Sequence, residues 1–264
     1  MTNAHKLISD YSDLIDDHRA WLIPYGKQRI DRWEKLLKAN SESAVCEAAT
    51  RKLLSDYGID IQPYEDLSKG GPDFLCSKNG KTFYVETTCI SIKAATRESG
   101  LYHTDNPYVD DSSYRNMAEK FRSEICNKIL QCTKVNAPRI VVIGTLHPKV
   151  SDCCIDDLAA EQLLTSPTKI THDINNIHEP VGNTYETTGL EHSAFIRFVK
   201  GSSGKIEFAR NSISAVLLCG FGSDPPNVVG CIHPNPNYPF DRKLLHNIKF
   251  CTLVETDPLK VEWI

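Results

Sequence analysis

The sequence predicts an α/β fold: a helix, three strands, a helix and a strand, followed by a β-rich C-terminal extension. Three observations carry this reading. A helical pattern runs to about Tyr57 and stops at Gly58, a good residue for the left-handed position after a helix, and a strand pattern follows at once. Lys78-Asn79-Gly80-Lys81 holds the Asn-Gly signal of a tight hairpin between two strand-like runs. Residues 139–146 follow Pro138 with an unbroken Ile-Val-Val-Ile run, the mark of a strand buried on both faces.

In chain order, residues 3–39 read as one or two charged amphipathic helices broken around Pro24-Tyr25-Gly26. Residues 40–43 offer N-cap candidates for the helix that ends near Tyr57. Strands are expected at 59–64, 73–76 and 82–90, with Ser68-Lys69-Gly70-Gly71-Pro72 as a turn. Residues 91–112 read as a polar, acidic loop and 113–132 as a helix. Beyond the strand at 139–146, a helix is expected at 152–164, a loop at 165–192, and short strands at 194–199, 205–208, 213–219, 228–233 and 248–254. No linker separates the halves, so the expectation is a single domain: an N-terminal helical extension (1–40), a core (41–150) and a sheet extension packed on it (151–264).

The chain has 264 residues, 41 % hydrophobic and 24 % charged, which suits a folded globular protein and excludes wholesale disorder, collagen-like repeats and a coiled-coil rod. No apolar run reaches the roughly 18 residues of a membrane span, so no membrane partner is expected. Residues 1–10 hold no apolar segment of signal-peptide length, so the expected location is cytoplasmic. The net charge of −4 excludes a basic nucleic-acid coat, but residues 1–150 hold 21 of the 30 basic side chains.

Ten cysteines include no CxxC pair, and Cys153 and Cys154 are adjacent, which suits neither an ordinary disulfide nor tetrahedral zinc. Cys76, Cys89, Cys126, Cys219, Cys231 and Cys251 sit in apolar or alternating stretches and read as buried, reduced thiols. No local pattern pairs a cysteine with one of the nine histidines as a nucleophile, and His172 and His178 are too loosely spaced for a zinc half-site.

The informative residues are Glu47, Asp73 and Glu86. Asp73 follows Gly-Gly-Pro and opens one arm of the hairpin; Glu86 lies in the other arm, so the two come close across the pair. Converging carboxylates repel unless a cation lies between them, and oxygen ligands favour Mg²⁺ or Mn²⁺ over zinc. In the helix ending near Tyr57, Val45, Cys46, Ala49, Leu53, Leu54 and Tyr57 form one apolar stripe, with Glu47 at its rim. Taken alone, Glu47 reads first as a solvated surface residue.

Thr88 shares a strand face with Glu86 and offers a hydrogen bond but no charge. A phosphodiesterase of this layout wants a cation there, to orient the attacking water and offset developing charge. The helix at 113–132 offers one. Tyr114, Met117, Ala118, Phe121, Ile125, Ile129 and Cys132 form its apolar stripe, and Lys128 falls inside that stripe, about 20° from Met117. A lysine there is costly unless its ammonium is paired or snorkels to water. Lys81 and Lys93 are weaker candidates for the same role.

The order of elements, with Gly71-Pro72-Asp73-Phe74 and then Tyr84-Val85-Glu86-Thr87-Thr88, resembles the PD-(D/E)XK nuclease superfamily over residues 41–146. The resemblance implies a restriction-endonuclease-like αβββαβ core with a mixed central sheet flanked by helices. It implies Asp73 and Glu86 as metal ligands, the Thr87 carbonyl as a third, and Glu47 as an auxiliary helix carboxylate. Thr88 departs from the pattern, which has lysine there. Some relatives take the lysine from a neighbouring helix, which would give its role to Lys128. The segment Cys231-Ile232-His233-Pro234-Asn235-Pro236-Asn237 is similar to tails of uncharacterised bacterial members, but a turn built from Pro and Asn is the preferred account of it.

Two functions follow as expectations. The first is a Mg²⁺- or Mn²⁺-dependent nuclease acting on DNA before RNA, with a homodimer as one way to cut both strands. Arg115, Lys120, Arg122, Lys128, Lys134 and Arg139, against Glu119 and Glu124, would supply phosphate contacts. The second is a nuclease-like fold that binds nucleic acid or protein without catalysis, with Thr88 marking the lost chemistry.

Overall fold

The structure, a computed structural model, describes residues 3–65, 70–101, 111–128, 135–165, 168–174, 180–188, 193–199, 206–254 and 260–264. Residues 3–56 are helical: α1 (Asn3–Asp10), α2 (Ser12–Leu22), a 3-10 turn at Ile23–Tyr25, α3 (Lys27–Ala39) and α4 (Ser41–Asp56). Three strands follow, β1 (Asp60–Pro63), β2 (Phe74–Lys78) and β3 (Lys81–Ile90), then α5 (Ile92–Ser99), α6 (Asp111–Lys128) and β4 (Arg139–Thr145). The second half carries α7 (Pro148–Cys153), α8 (Asp157–Leu164), β5 (Thr168–Ile174), β6 (Pro180–Thr188), β7 (Ile196–Phe198), β8 (Ile206–Phe208), β9 (Ala215–Gly220), β10 (Asn227–Ile232), β11 (Lys249–Val254) and β12 (Lys260–Trp263).

Eight strands form one mixed sheet in the order β1-β2-β3-β4-β9-β10-β11-β12. The first three are antiparallel, β3, β4 and β9 run parallel, and β10 returns antiparallel. The sheet therefore continues from the first half of the chain into the second. Helices cover both faces. On one, Trp33, Leu37, Val45 and Leu54 of α3 and α4 pack on Phe83, Val85, Ile140 and Val142. On the other, Met117, Phe121 and Ile125 of α6 pack with Leu163 of α8 on Val141, Ile143, Val216 and Leu218. Among the described residues no helix is long and apolar enough to cross a membrane.

Local chemistry accounts for the elements that set the site. The Asn40 side chain caps α4 by accepting the Ser43 N–H at 3.2 Å, and Gly58 leaves the helix with φ +67°. Asn79 and Gly80 both adopt positive φ, 53° and 74°, as a two-residue hairpin turn of matching twist requires. All seven residues of β4 are buried, because sheet neighbours flank it and helices cover both faces.

Several expectations are corrected. The loop foreseen at 91–112 contains α5, capped by Ser91, whose side chain accepts the Ala94 N–H, and closed by Gly100 at φ +70°. The loop foreseen at 165–192 holds the antiparallel hairpin β5–β6, and the helix foreseen at 152–164 is two helices. Strand β12 was not foreseen; it pairs with β11 at the sheet edge. Cys126 is exposed on α6, and Cys89 and Cys153 are half-buried, so the buried-thiol reading fits the other named cysteines only. Part of the 68–72 turn, the end of the 113–132 helix with Ile129, Cys132 and Lys134, and His178 lie outside the described residues.

Candidate metal and phosphate site

The site forms where β2 runs out. Phe74, the first residue of β2, pairs with Val85, so β3 continues through Ile90 with β4 on one side and, among the described residues, no strand on the other. Counting one step past Phe74 and Val85 sets Asp73 opposite Glu86. The Asp73 carboxylate occupies the vacated edge: its Oδ2 accepts the Thr87 N–H at 2.7 Å, and its main-chain carbonyl accepts the Tyr64 N–H at 2.8 Å. A strand residue sends N–H and C=O to the same side, so the Thr87 carbonyl leaves β3 on the Asp73 edge.

Glu86 and Thr88 both face α6. Lys128, in the last turn of α6, donates to Glu86 Oε1 at 2.6 Å, and the Thr88 hydroxyl donates to Glu124 Oε2 at 3.3 Å. Glu86 is only 3 % exposed, and its Oε2 is buried with no hydrogen-bond partner. The apolar stripe of Met117, Phe121 and Ile125 holds α6 on the sheet and so aims Lys128 at the strand.

Glu47 arrives from the other face, on α4. Its side chain is 23 % exposed and lies 4.0 Å from His18 Nε2 of α2. His18 is fully buried and stacks on Trp33 at 4.7 Å, and neither ring nitrogen finds a partner. A cavity of about 340 Å³ opens over these groups, lined by Glu47, Glu65, Asp73, Thr87, Thr88 and Lys128 together with residues of α2 and α3.

The carboxylates strain one another electrostatically. Burial, then the Glu86 and Glu47 charges, push the Asp73 carboxyl well above the usual carboxylate range, against the Thr87 hydrogen bond and Lys128. Glu47 is pushed up to about 8 by burial first and Glu65 next, with Arg32 opposing. Burial raises Glu86 as well, with Lys128 holding it down. His18 goes the other way, down to about 3, through burial and the nearby Arg51. At neutral pH the His18 imidazole is therefore neutral, and burial together with mutual repulsion favours the protonated form of the neighbouring carboxyls.

Among the described residues no three His, Cys, Asp or Glu side chains gather as a metal-holding group. The set that can hold an ion is two carboxylates, Asp73 and Glu86, and the Thr87 carbonyl. That set fits Mg²⁺ or Mn²⁺, because Mg²⁺ keeps several waters and commonly takes only one or two carboxylates. Glu86 Oε2 has no hydrogen-bond partner and would be available to such an ion. Glu47 is joined to this set through the field it exerts on Asp73.

Two lysine candidates fall elsewhere: Lys81 pairs with Asp241 at 2.6 Å, and Lys93 lines a separate groove with Glu42, Ile92, Leu146 and Phe221. The basic run foreseen along 113–139 is no shared face. Arg122 and Arg139 are buried, donating to the main-chain carbonyls of Gln162 and Ser212, and Lys120 pairs with Glu124 at 2.6 Å. The cavity's further cations come instead from α3. Arg29 donates to the Glu65 main-chain carbonyl at 2.9 Å, and Arg32 pairs with the Glu65 carboxylate. The sequence signal for these was two arginines one helical turn apart. His233 of the Pro-Asn segment is buried and bonded to the Ala209 carbonyl at 2.8 Å, a structural role away from the cavity.

Comparison with protein-family models, with curated proteins and with solved structures finds no match to this chain.

Proposed function

We propose that this chain is a metal-dependent nuclease that hydrolyses phosphodiester bonds of DNA, or of RNA, with residues 41–146 arranged as a PD-(D/E)XK core. The carrying observation is the 2.6 Å contact from Lys128 to Glu86 beside an unpartnered carboxylate oxygen. A lysine from α6 thereby stands where Thr88 of the strand motif supplies no charge. The helix, three strands, helices and strand of the first half support the same reading, as does the position of Asp73 opposite Glu86.

Asp73, Glu86 and the Thr87 carbonyl would hold Mg²⁺ or Mn²⁺. A divalent ion held there would supply polarisation of the scissile phosphate and a lowered pKa for an attacking water. Lys128 orients that water and offsets charge developing on the phosphoryl oxygens. Glu47 receives a proton readily, because burial and its acidic neighbours favour its neutral form. Thr88 keeps Glu124 beside the strand and places no charge of its own.

The test is digestion of single- and double-stranded DNA and RNA with Mg²⁺, Mn²⁺ or EDTA. Metal-dependent cleavage that disappears in Glu86→Ala supports the reading; cleavage that survives that change refutes the site. One observation favours a second reading, a nuclease-like fold that binds without cutting: Glu86 is already paired with Lys128. Oligonucleotide binding with no cleavage under any metal would select it.

A further inference from the structure

We propose that Arg29 and Arg32 of α3 form a phosphate-binding subsite for the nucleic-acid strand beside the scissile group, with Glu65 as an internal competitor that holds Arg32 until a phosphate displaces it. The subsite rests on the nuclease reading for its substrate class and extends the site to residues outside the motif.

The geometry begins with α3. Buried Trp33 and Leu37 fasten it into the apolar cluster it shares with α4, which leaves Arg29 and Arg32, one turn apart, on the cavity wall. Both guanidinium groups are directed to one residue: Arg29 to the Glu65 carbonyl at 2.9 Å, Arg32 to the Glu65 carboxylate. The arginines with bracing roles in this fold are enclosed; the Arg51 side chain is 6 % exposed and that of Arg122 10 %. The Arg32 side chain is 42 % exposed, so its planar fork keeps open donors.

Charge points the same way. Among the described residues, the carboxylates lining the cavity (Glu47, Glu65, Asp73) equal its cations (Arg29, Arg32, Lys128) in number, and Glu86, paired with Lys128, adds one further negative charge. A divalent ion reverses that balance to one positive charge, the complement of a phosphodiester monoanion. Glu65 is also a reluctant anion, since burial raises its carboxyl while Arg32, Arg29 and Lys128 oppose the rise. A phosphate offers the same fork a better acceptor, two oxygens in bidentate geometry.

The experiment measures binding of a fluorescent single-stranded 12-mer and its duplex to the full chain by anisotropy, in EDTA and in Ca²⁺, across a salt series. Arg32→Ala is expected to weaken binding roughly tenfold and to flatten the single-strand log–log salt slope by ~0.7. Arg29→Ala should do likewise, and Arg32→Lys, which keeps the charge without the fork, should fall between Arg32→Ala and the parent chain. Glu65→Gln is expected to tighten binding, and that gain should vanish in the Arg32→Ala background. Thermal melts of each variant separate misfolding from lost contacts.

A bracing role would give a different pattern: Glu65→Gln and Arg32→Ala both weakening binding and both lowering Tm. That result overturns the proposal, as does a Glu65→Gln gain that persists without Arg32. Metal-dependent cleavage with unchanged affinity in the arginine variants sinks the subsite and leaves the nuclease reading standing. No binding of either oligonucleotide by the parent chain sinks both.

Discussion

Lys128 and Glu86 lie 42 residues apart in the chain and 2.6 Å apart in the fold. Helix α6 delivers the ammonium to β3 from the side, and Thr88, on the same face of the strand, turns its hydroxyl to Glu124. The ion pair is almost fully buried on the carboxylate side, where the Glu86 side chain is 4 % exposed. A buried carboxylate with one oxygen paired and one open is an uncomfortable arrangement unless a second cation completes it.

Removing Lys128 tests its role directly. Lys128→Ala is expected to lower kcat by roughly 10²–10³-fold, the usual cost of losing one donor to transition-state charge. A strand lysine should recover part of that loss, because 86 and 88 share a face. The double change Lys128→Ala with Thr88→Lys is therefore expected to cut faster than Lys128→Ala alone. Equal rates for the two would show that the position of the ammonium is not what matters.

Metal binding should be visible without turnover. Mg²⁺ or Mn²⁺ is expected to raise Tm of the parent chain, since an ion that binds only the folded state stabilises it by mass action. Asp73→Asn and Glu86→Gln should abolish the shift; without metal, Asp73→Asn should change Tm little or raise it, because it removes a repelled charge, whereas Glu86→Gln should lower Tm by breaking the ion pair with Lys128. A metal-induced shift that survives both substitutions would place the ion elsewhere.

The pH dependence has a definite sign. Carboxyls whose folded pKa is raised, such as Glu47 at about 8 together with Asp73 and Glu86, bind protons more tightly when folded. Their contribution to stability is present at low pH and lost as pH rises from the ordinary carboxylate range through about 8. His18 has the opposite effect: its folded pKa of about 3 lies below the ordinary imidazole value of 6.5, so stability falls as pH drops between those values. The metal-free chain is thus expected to melt highest at intermediate pH. The increment from Mg²⁺ should be larger at pH ~8.5 than at ~5.5, as the ion replaces the protons those carboxyls hold. An increment that shrinks with rising pH would contradict the assigned ligands.

The cap of α4 positions Glu47 and offers a stability measurement. Asn40→Ala removes the acceptor of the Ser43 N–H and is expected to cost about 1 kcal/mol in urea unfolding, with the slope unchanged. Asn40→Asp should restore most of that loss.

Local periodicities carried much of this protein. The Asn79-Gly80 turn sets the hairpin register, and that register alone places Asp73 opposite Glu86. The 3.6-residue period of α6 puts Lys128 on the buried stripe before any neighbour is known. The Ile-Val-Val-Ile run announces an interior strand, and β4 is buried along its whole length. These hold because turn chemistry and side-chain period are properties of a few adjacent residues. Packing between elements decided the rest. Arg122 and Arg139 look like surface cations in the chain and are buried against main-chain carbonyls. Arg29, Arg32 and Glu65 look ordinary in the chain, yet docking α3 beside the open edge of β3 brings them to the same cavity as Asp73. The Glu47 carboxyl is equally a surface group until α2 places the unpartnered His18 ring 4.0 Å away. Which helix covers which stretch of sheet is settled by the long-range burial of apolar surface, and no local pattern encodes it.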